Sequence, residues 1–126
     1  MRPMPTDSAF PRIRLRLDFG RGLVLGPGKA DLLAGIAELG SISAAGRRMK
    51  MSYKRAWSLV EEMNAAFAAP LVDSSRGGAG GGGASLTPTG QAVLAHFRGL
   101  EAMLAEDARG DIAGISALLA DISDGK

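Results

Sequence analysis

Five cations, Arg47, Arg48, Lys50, Lys54 and Arg55, stand between Ser41 and Ser58 with no carboxylate among them, and the acids return only at Glu61 and Glu62. Uncompensated Lys and Arg neutralise phosphate, while interleaved hydroxyl and aromatic groups, here Ser41, Ser43, Ser52, Tyr53, Trp57 and Ser58, touch base edges and sugar. An ordinary solvated face would mix both signs of charge. Covalent and metal chemistry have much less to work with. The chain has no Cys and one His, which removes disulfides, thiolate ligands and cysteine nucleophiles and leaves too few imidazoles for a His-rich metal site. His96 reads as a surface or interface residue, because no carboxylate or nucleophile motif surrounds it. Gly26 and Gly28 lack a third glycine at dinucleotide spacing, and Lys29 is not followed by Ser or Thr as a phosphate loop requires. The expectation is a protein that is not an enzyme and carries no cofactor.

To act on DNA, the basic groups must ride on elements of fixed geometry. Ser41 and Ser52 each precede an apolar-periodic run, as helix N-caps do, and they predict helices over about Ile42 to Met49 and about Ser52 to Phe67. In the first, Ile42, Ala45 and Met49 recur at i, i+3 and i+7, and the small Ala44 and Ala45 permit close approach of a second helix. In the second, Ala56, Val60, Met63 and Phe67 share a narrow arc flanked by Tyr53 and Leu59. Lys54, Ser58 and Glu61 fall opposite that arc, with Arg55 and Trp57 on its flanks. Two short helices joined by a tight turn form a helix-turn-helix whose second helix reads DNA. Ser52, Tyr53, Lys54, Arg55 and Ser58 are expected on base edges and backbone, and Ser41, Ser43, Arg47, Arg48 and Lys50 on phosphates, helped by the free amides of a helix N-terminus. Trp57 has two readings, an indole against DNA or a large aromatic packed on a helix flank.

The same residues carry a resemblance. GSISAAGRRMKMSYKRAW, then LVEEMN, and later GGAGGGGASLTPTG resemble the DNA-binding domain of the molybdate-responsive ModE-type transcriptional regulators, whose helix-turn-helix is similar to that of LysR-type regulators; the likeness covers roughly Arg12 to Glu101. It implies an α+β winged helix-turn-helix that dimerises on palindromic double-stranded DNA. The family's molybdate-binding domains would begin where this chain stops, so a stand-alone module is expected and molybdate is not an expected ligand of it.

The remaining chain supplies the frame. Residues 1–11 hold three prolines and no periodicity, which reads as a flexible arm. From Arg12 the pattern alternates, Ile13, Leu15, Leu17 and Phe19 on one face and Arg12, Arg14, Arg16 and Asp18 on the other, which predicts a half-buried strand. Gly20-Arg21-Gly22 then turns the chain into a return strand, Leu23 to Leu25, to make a hairpin. Its arginines suit either phosphate contact or protection of an exposed strand edge. After Gly26-Pro27-Gly28, a helix over about Lys29 to Leu39 turns Leu32, Leu33, Ile36 and Leu39 inward and ends at Gly40.

Strands at Leu71 to Ser74 and Ala84 to Leu86 bracket SRGGAGGGG, where six of the seven residues 77–83 are glycine. Glycine loses more backbone entropy on ordering than any other residue, so the tract is expected to be mobile. It is a wing with Arg76 reaching a phosphate or minor groove, or else a plain linker; its place after a helix-turn-helix favours the wing.

Thr87-Pro88 is a helix start. Val93, Phe97, Leu100 and Leu104 then make an apolar stripe to about Ala108, Gly110 ends that helix, and Asp111 caps another carrying Ile112, Ile115, Leu118, Leu119 and Ile122. So much apolar surface at the end of a small chain predicts a homodimer interface at Val93, Phe97, Leu100, Leu104, Ile115, Leu118 and Leu119. The expected organisation is therefore an arm at 1–11, a winged helix-turn-helix domain at 12–86 and dimerisation helices at 87–126.

Composition agrees with one globular domain, with 126 residues, 46% hydrophobic and 22% charged. The net charge of +2 hides a segregation, 13 basic and 7 acidic residues in 1–100 against 2 and 6 in 101–126, which suits a front half facing a polyanion. No apolar run spans a bilayer and MRPMPTDSAF lacks a signal-peptide core, so a cytoplasmic protein is expected. A module that uses the same fold and basic face to bind an acidic protein partner is the alternative, which a gel shift on genomic fragments separates. An enzyme holding phosphate through the glycine tract would lack every catalytic group it needs.

Overall fold

The computed structural model describes residues 10–75 and 83–120. They fall into two compact units, one within residues 15–98 and a second made of residues 10–14 with 99–120.

The first unit begins with β1 (Leu17–Asp18) and β2 (Val24–Leu25), antiparallel with Leu17 opposite Leu25. The strand expected from Arg12 is thus far shorter. Pro27 opens α1 (Pro27–Leu39) two residues after β2, so nothing remains on the partner side to pair with residues 12–16, and alternation without a ladder does not make a strand. Asp18 Oδ1 accepts the Gly20 N–H at 2.9 Å, and Phe19 N–H bonds Leu23 O at 3.1 Å to close the turn. Leu15 and Leu17 lie half-buried as alternation predicts, whereas Ile13 and Phe19 are exposed.

Helix α1 buries Ala30, Leu32, Leu33, Gly35 and Ile36 and ends at Gly40, whose left-handed φ of 70° a side chain would resist. Leu39, expected inward, is exposed, because it sits in the final turn at the margin of the packed face. Then follow α2 (Ile42–Arg48) and α3 (Tyr53–Ala66), within a residue of the expected bounds. β3 (Val72–Ser75) and β4 (Gly83–Leu86) pair antiparallel, Val72 opposite Leu86 and Ser75 opposite Gly83. Residues 76–82, which hold Arg76 and the glycine tract except Gly83, lie outside the described residues, as do the first nine residues of the arm and Ile122. The main core joins Leu32, Leu33, Ile36, Ile42, Ala45, Ala56, Leu59, Val60, Met63, Leu71, Val72 and Leu86.

Helix α4 (Pro88–Asp107) starts where Thr87 Oγ1 accepts the Gly90 N–H at 3.0 Å. Its first half closes a second cluster in which Phe97 packs with Leu25 and Ala30, with Val93 and Leu94 against it. Phe97 was expected at a dimer interface, yet it is only 1% exposed, and Val93 is half-buried on the same face. The stripe is real, but its N-terminal half serves the chain's own core, because the hairpin and α1 present apolar side chains to it.

In the second unit, α4 gives way to α5 (Arg109–Ala117) at Ala108, not at Gly110, and Asp111 lies in the first turn rather than capping it. Ala108 N–H bonds Leu104 O and Ile112 N–H bonds Ala108 O, both at 2.9 Å, so Ala108 is tied by i to i−4 bonds to both helices. Ile115, Leu118 and Leu119 are 65%, 87% and 70% exposed. Among the described residues no helix is long and apolar enough to cross a membrane.

Candidate nucleic-acid interface

Both helix starts read from the sequence are present as side-chain caps: Ser41 Oγ accepts the Ala44 N–H and Ser52 Oγ the Arg55 N–H, each at 3.0 Å. Each satisfies one of the free amides at a helix N-terminus and fixes where the helix begins. Helix α2 packs closely on both of its neighbours. A Cβ on Gly46 would stand 2.9 Å from the Ala56 Cβ of α3, and one on Gly35 of α1 would stand 3.0 Å from the Ala45 Cβ of α2. Close approach of α2 to α3 therefore depends on Gly46 and that of α1 to α2 on Gly35 and Ala45, while Ala44 is half-buried. Nothing about Gly46 alone marks it; its need appears only when Ala56 is brought opposite.

The turn between the helices is closed by Lys50 N–H to Arg47 O at 3.0 Å and Met51 N–H to Gly46 O at 2.9 Å. Lys50 takes φ 61°, in the left-handed region. Arg47, Lys50, Ser52, Lys54, Arg55 and Ser58 are exposed, and Tyr53 is too, whereas Ser41 and Ser43 are half-buried with their hydroxyl oxygens 3.3 Å apart.

The expectation of five uncompensated cations needs one correction. Arg48 is bound to Glu38 at 2.7 Å, because the end of α1 passes beside α2, a proximity invisible at ten residues' separation. Arg47, Lys50, Lys54 and Arg55 have no carboxylate partner among the described residues. Trp57 packs half-buried against the main core with Tyr53 edge-on at 6.1 Å, and its Nε1 is buried without a hydrogen-bond partner. Of its two readings, packing is what the structure displays.

The wing is tied to the reading helix by a residue that sequence reasoning passed over. On the last turn of α3, Asn64 Oδ1 accepts the N–H groups of Leu71 at 2.8 Å and Val72 at 3.0 Å, while its Nδ2 donates to Val72 O at 3.1 Å. An amide is the neutral side chain that can accept twice and donate in one place; in sequence it was merely the polar end of an amphipathic helix. The other strand is held by Ala84 N–H to Gly40 O at 2.9 Å, and Thr87 Oγ1 donates to Pro70 O at 2.6 Å. Beneath the wing lies a polar groove of about 330 Å³ lined by Gly40, Asp73, Ser74, Ser75, Gly83 and their neighbours. Lys29 Nζ links the layers, donating to Val24 O at 2.9 Å and lying 3.5 Å from Glu62.

The conserved description of bacterial regulatory helix-turn-helix proteins of the lysR family matches residues 29–91, from α1 through the start of α4. This chain belongs to the lysR family. Within that family setting, it is 46% identical over 85 residues to the molybdenum-pterin-binding protein MopB of Rhodobacter capsulatus, an alignment covering 68% of this chain and 32% of that protein. It is 42% identical over 82 residues to the DNA-binding transcriptional dual regulator ModE of Escherichia coli K12, covering 65% and 31%. The lysR-type chain thus spans about a third of the length of these relatives. A crystal structure of a CbnR_DBD–DNA complex superposes with a TM-score of 0.53 at 22% identity, over 71% of this chain and 95% of that one. The likeness shows the fold, a winged helix-turn-helix of lysR type.

Proposed function

We propose that this chain binds double-stranded DNA in a sequence-specific manner and serves transcription regulation, acting as a dimer on a palindromic operator. The observation that carries the reading is the set of four cations, Arg47, Lys50, Lys54 and Arg55, exposed and without carboxylate partners among the described residues, at the end of α2, the turn and the first turn of α3. A reading helix enters the major groove by its N-terminal residues, so Ser52, Tyr53, Lys54, Arg55 and Ser58 are assigned to bases and adjacent backbone. Ser41, Ser43, Arg47 and Lys50 are assigned to phosphate, Arg48 after leaving Glu38, and Arg76 to the wing's contact. Similarity to a transcriptional dual regulator and to the fold of a domain solved on DNA supports this reading.

The dimer is assigned to the second unit, where Ile115, Leu118 and Leu119 are exposed and Leu100 and Leu104 lie half-buried. Operator selection from a random duplex pool, followed by binding at graded salt, tests the whole reading. Each phosphate neutralised contributes about −0.9 to the slope of log K against log salt, and a slope near zero would sink it.

A further inference from the structure

We infer that Lys50 occupies a backbone position built for glycine because its ammonium holds a DNA phosphate, so that the turn gives up fold stability for affinity. The inference rests on the DNA-binding reading above and adds to it a trade that the reading does not require.

The geometry of the turn is specific. Helix α2 ends at Arg48 and Met49 caps it. Beyond the cap, Lys50 N–H returns to Arg47 O at 3.0 Å and Met51 N–H to Gly46 O at 2.9 Å. This pair of bonds defines a helix end whose first residue past the cap is left-handed and usually glycine. Lys50 accordingly has φ 61°, and among the described residues no other side-chain-bearing residue has positive φ. The chain follows the usual rule at the end of the preceding helix, where Gly40 takes φ 70° and its N–H bonds Ile36 O at 2.8 Å. The same backbone task thus meets glycine at one helix end and lysine at the next.

Within the fold the lysine side chain gains nothing to offset its strain. It is exposed, and its ammonium has no partner among the described residues. Strain of this kind persists where surrounding structure over-determines the conformation and the residue has work to do. Here Lys50 lies between Arg47, assigned above to phosphate, and Ser52, whose side chain caps the reading helix, and its own side chain is exposed. A compact, freely rotating ammonium suits a point contact with phosphate and carries no base preference.

Three variants separate the two halves of the trade. Lys50→Gly should raise the melting temperature by about 2–5 °C through relief of the strained φ. It should weaken binding about five- to tenfold on operator and random duplex alike, with the salt slope shallower by about 0.9 per subunit. Lys50→Ala should lose the same affinity with little change in melting temperature, since alanine keeps the strain. Lys50→Arg should preserve both properties. A Lys50→Gly protein that bound DNA as tightly as the parent, or melted no higher than Lys50→Ala, would overturn the inference while leaving the DNA reading in place. A parent protein with no salt-dependent DNA binding would overturn both.

Discussion

At the scale of single residues, a side chain here is decided by what stands a few ångströms away rather than by its own type. Glu38 is one such case, holding Arg48 at 2.7 Å on an exposed surface. Exposed pairs contribute little to stability, about 0–1 kcal/mol, so Glu38→Gln should hardly move the melting temperature. It should release a fifth cation to phosphate, tightening binding about two- to fivefold on any duplex and steepening the salt slope by about 0.9 per subunit; equal slopes in titrations of parent and variant would refute the proposed release. Gly46 is the opposite case, a residue with no chemistry whose missing Cβ lets α2 and α3 touch. Gly46→Ala places a methyl 2.9 Å from the Ala56 Cβ, and overpacking of this sort costs about 1–3 kcal/mol, readable as a lower denaturation midpoint and, because the reading helix must shift, as lost operator preference.

The caps at Ser41 and Ser52 were legible in the sequence because a cap is decided within four residues. The Arg48–Glu38 pair and the need for Gly46 were not, since each depends on a partner delivered by another helix. Phe97 failed for the same reason: its periodicity announced an apolar face but not which surface would cover it, and that surface is Leu25 and Ala30.

Elements position the site through a small number of joints. Asn64 bonds three backbone groups of Leu71 and Val72 at the start of the wing's first strand, so this amide, with the apolar packing of the main core, fixes the wing against the reading helix. Asn64→Ala leaves the Leu71 and Val72 amides without their acceptor, costing about 1–3 kcal/mol apiece where they remain dry. A stability loss alone would accompany any such change. The joint is diagnosed by footprinting at saturating protein: protection under the reading helix should persist while protection at the flanking positions reached by the wing fades, and uniform fading across the site would argue against it.

Gly90 is the matching joint on the other side, where a Cβ would meet Leu71 O at 2.1 Å; Gly90→Ala must push the helix start off the wing base. The hairpin shows why element boundaries were harder to read than element types. Residues 12–19 alternate well enough for a strand of eight, yet the ladder ends where Pro27 turns its partner into helix, and a strand is only as long as what it pairs with.

For the whole molecule, the proposed dimer and the proposed operator stand together. A symmetric pair places its reading helices about one DNA turn, roughly 34 Å, or a multiple of it apart. Truncation after Arg98 keeps Phe97 and removes Leu100, Leu104 and α5, so it should yield a folded, largely monomeric protein that binds half-sites weakly; sedimentation as a dimer with an unchanged footprint would place the interface elsewhere. Molybdate at micromolar concentration should leave the melting temperature and operator affinity of this chain unchanged. An oxyanion at the exposed cations competes with phosphate rather than distinguishing two conformations, and a ligand shifts an equilibrium only by its differential affinity. A saturable rise in melting temperature with molybdate but not sulfate would count against that view.

Trp57 is the chain's one tryptophan, and it lies on the flank of the reading helix with its indole N–H enclosed and unbonded. Ultraviolet emission excited at the red edge of protein absorption therefore comes from a single locality. A half-buried indole without a hydrogen-bonding partner emits toward the blue, and any tilt of α3 that admits water to that nitrogen moves the emission to longer wavelength. The protein thus carries its own optical gauge of the helix to which the proposed base contacts are assigned.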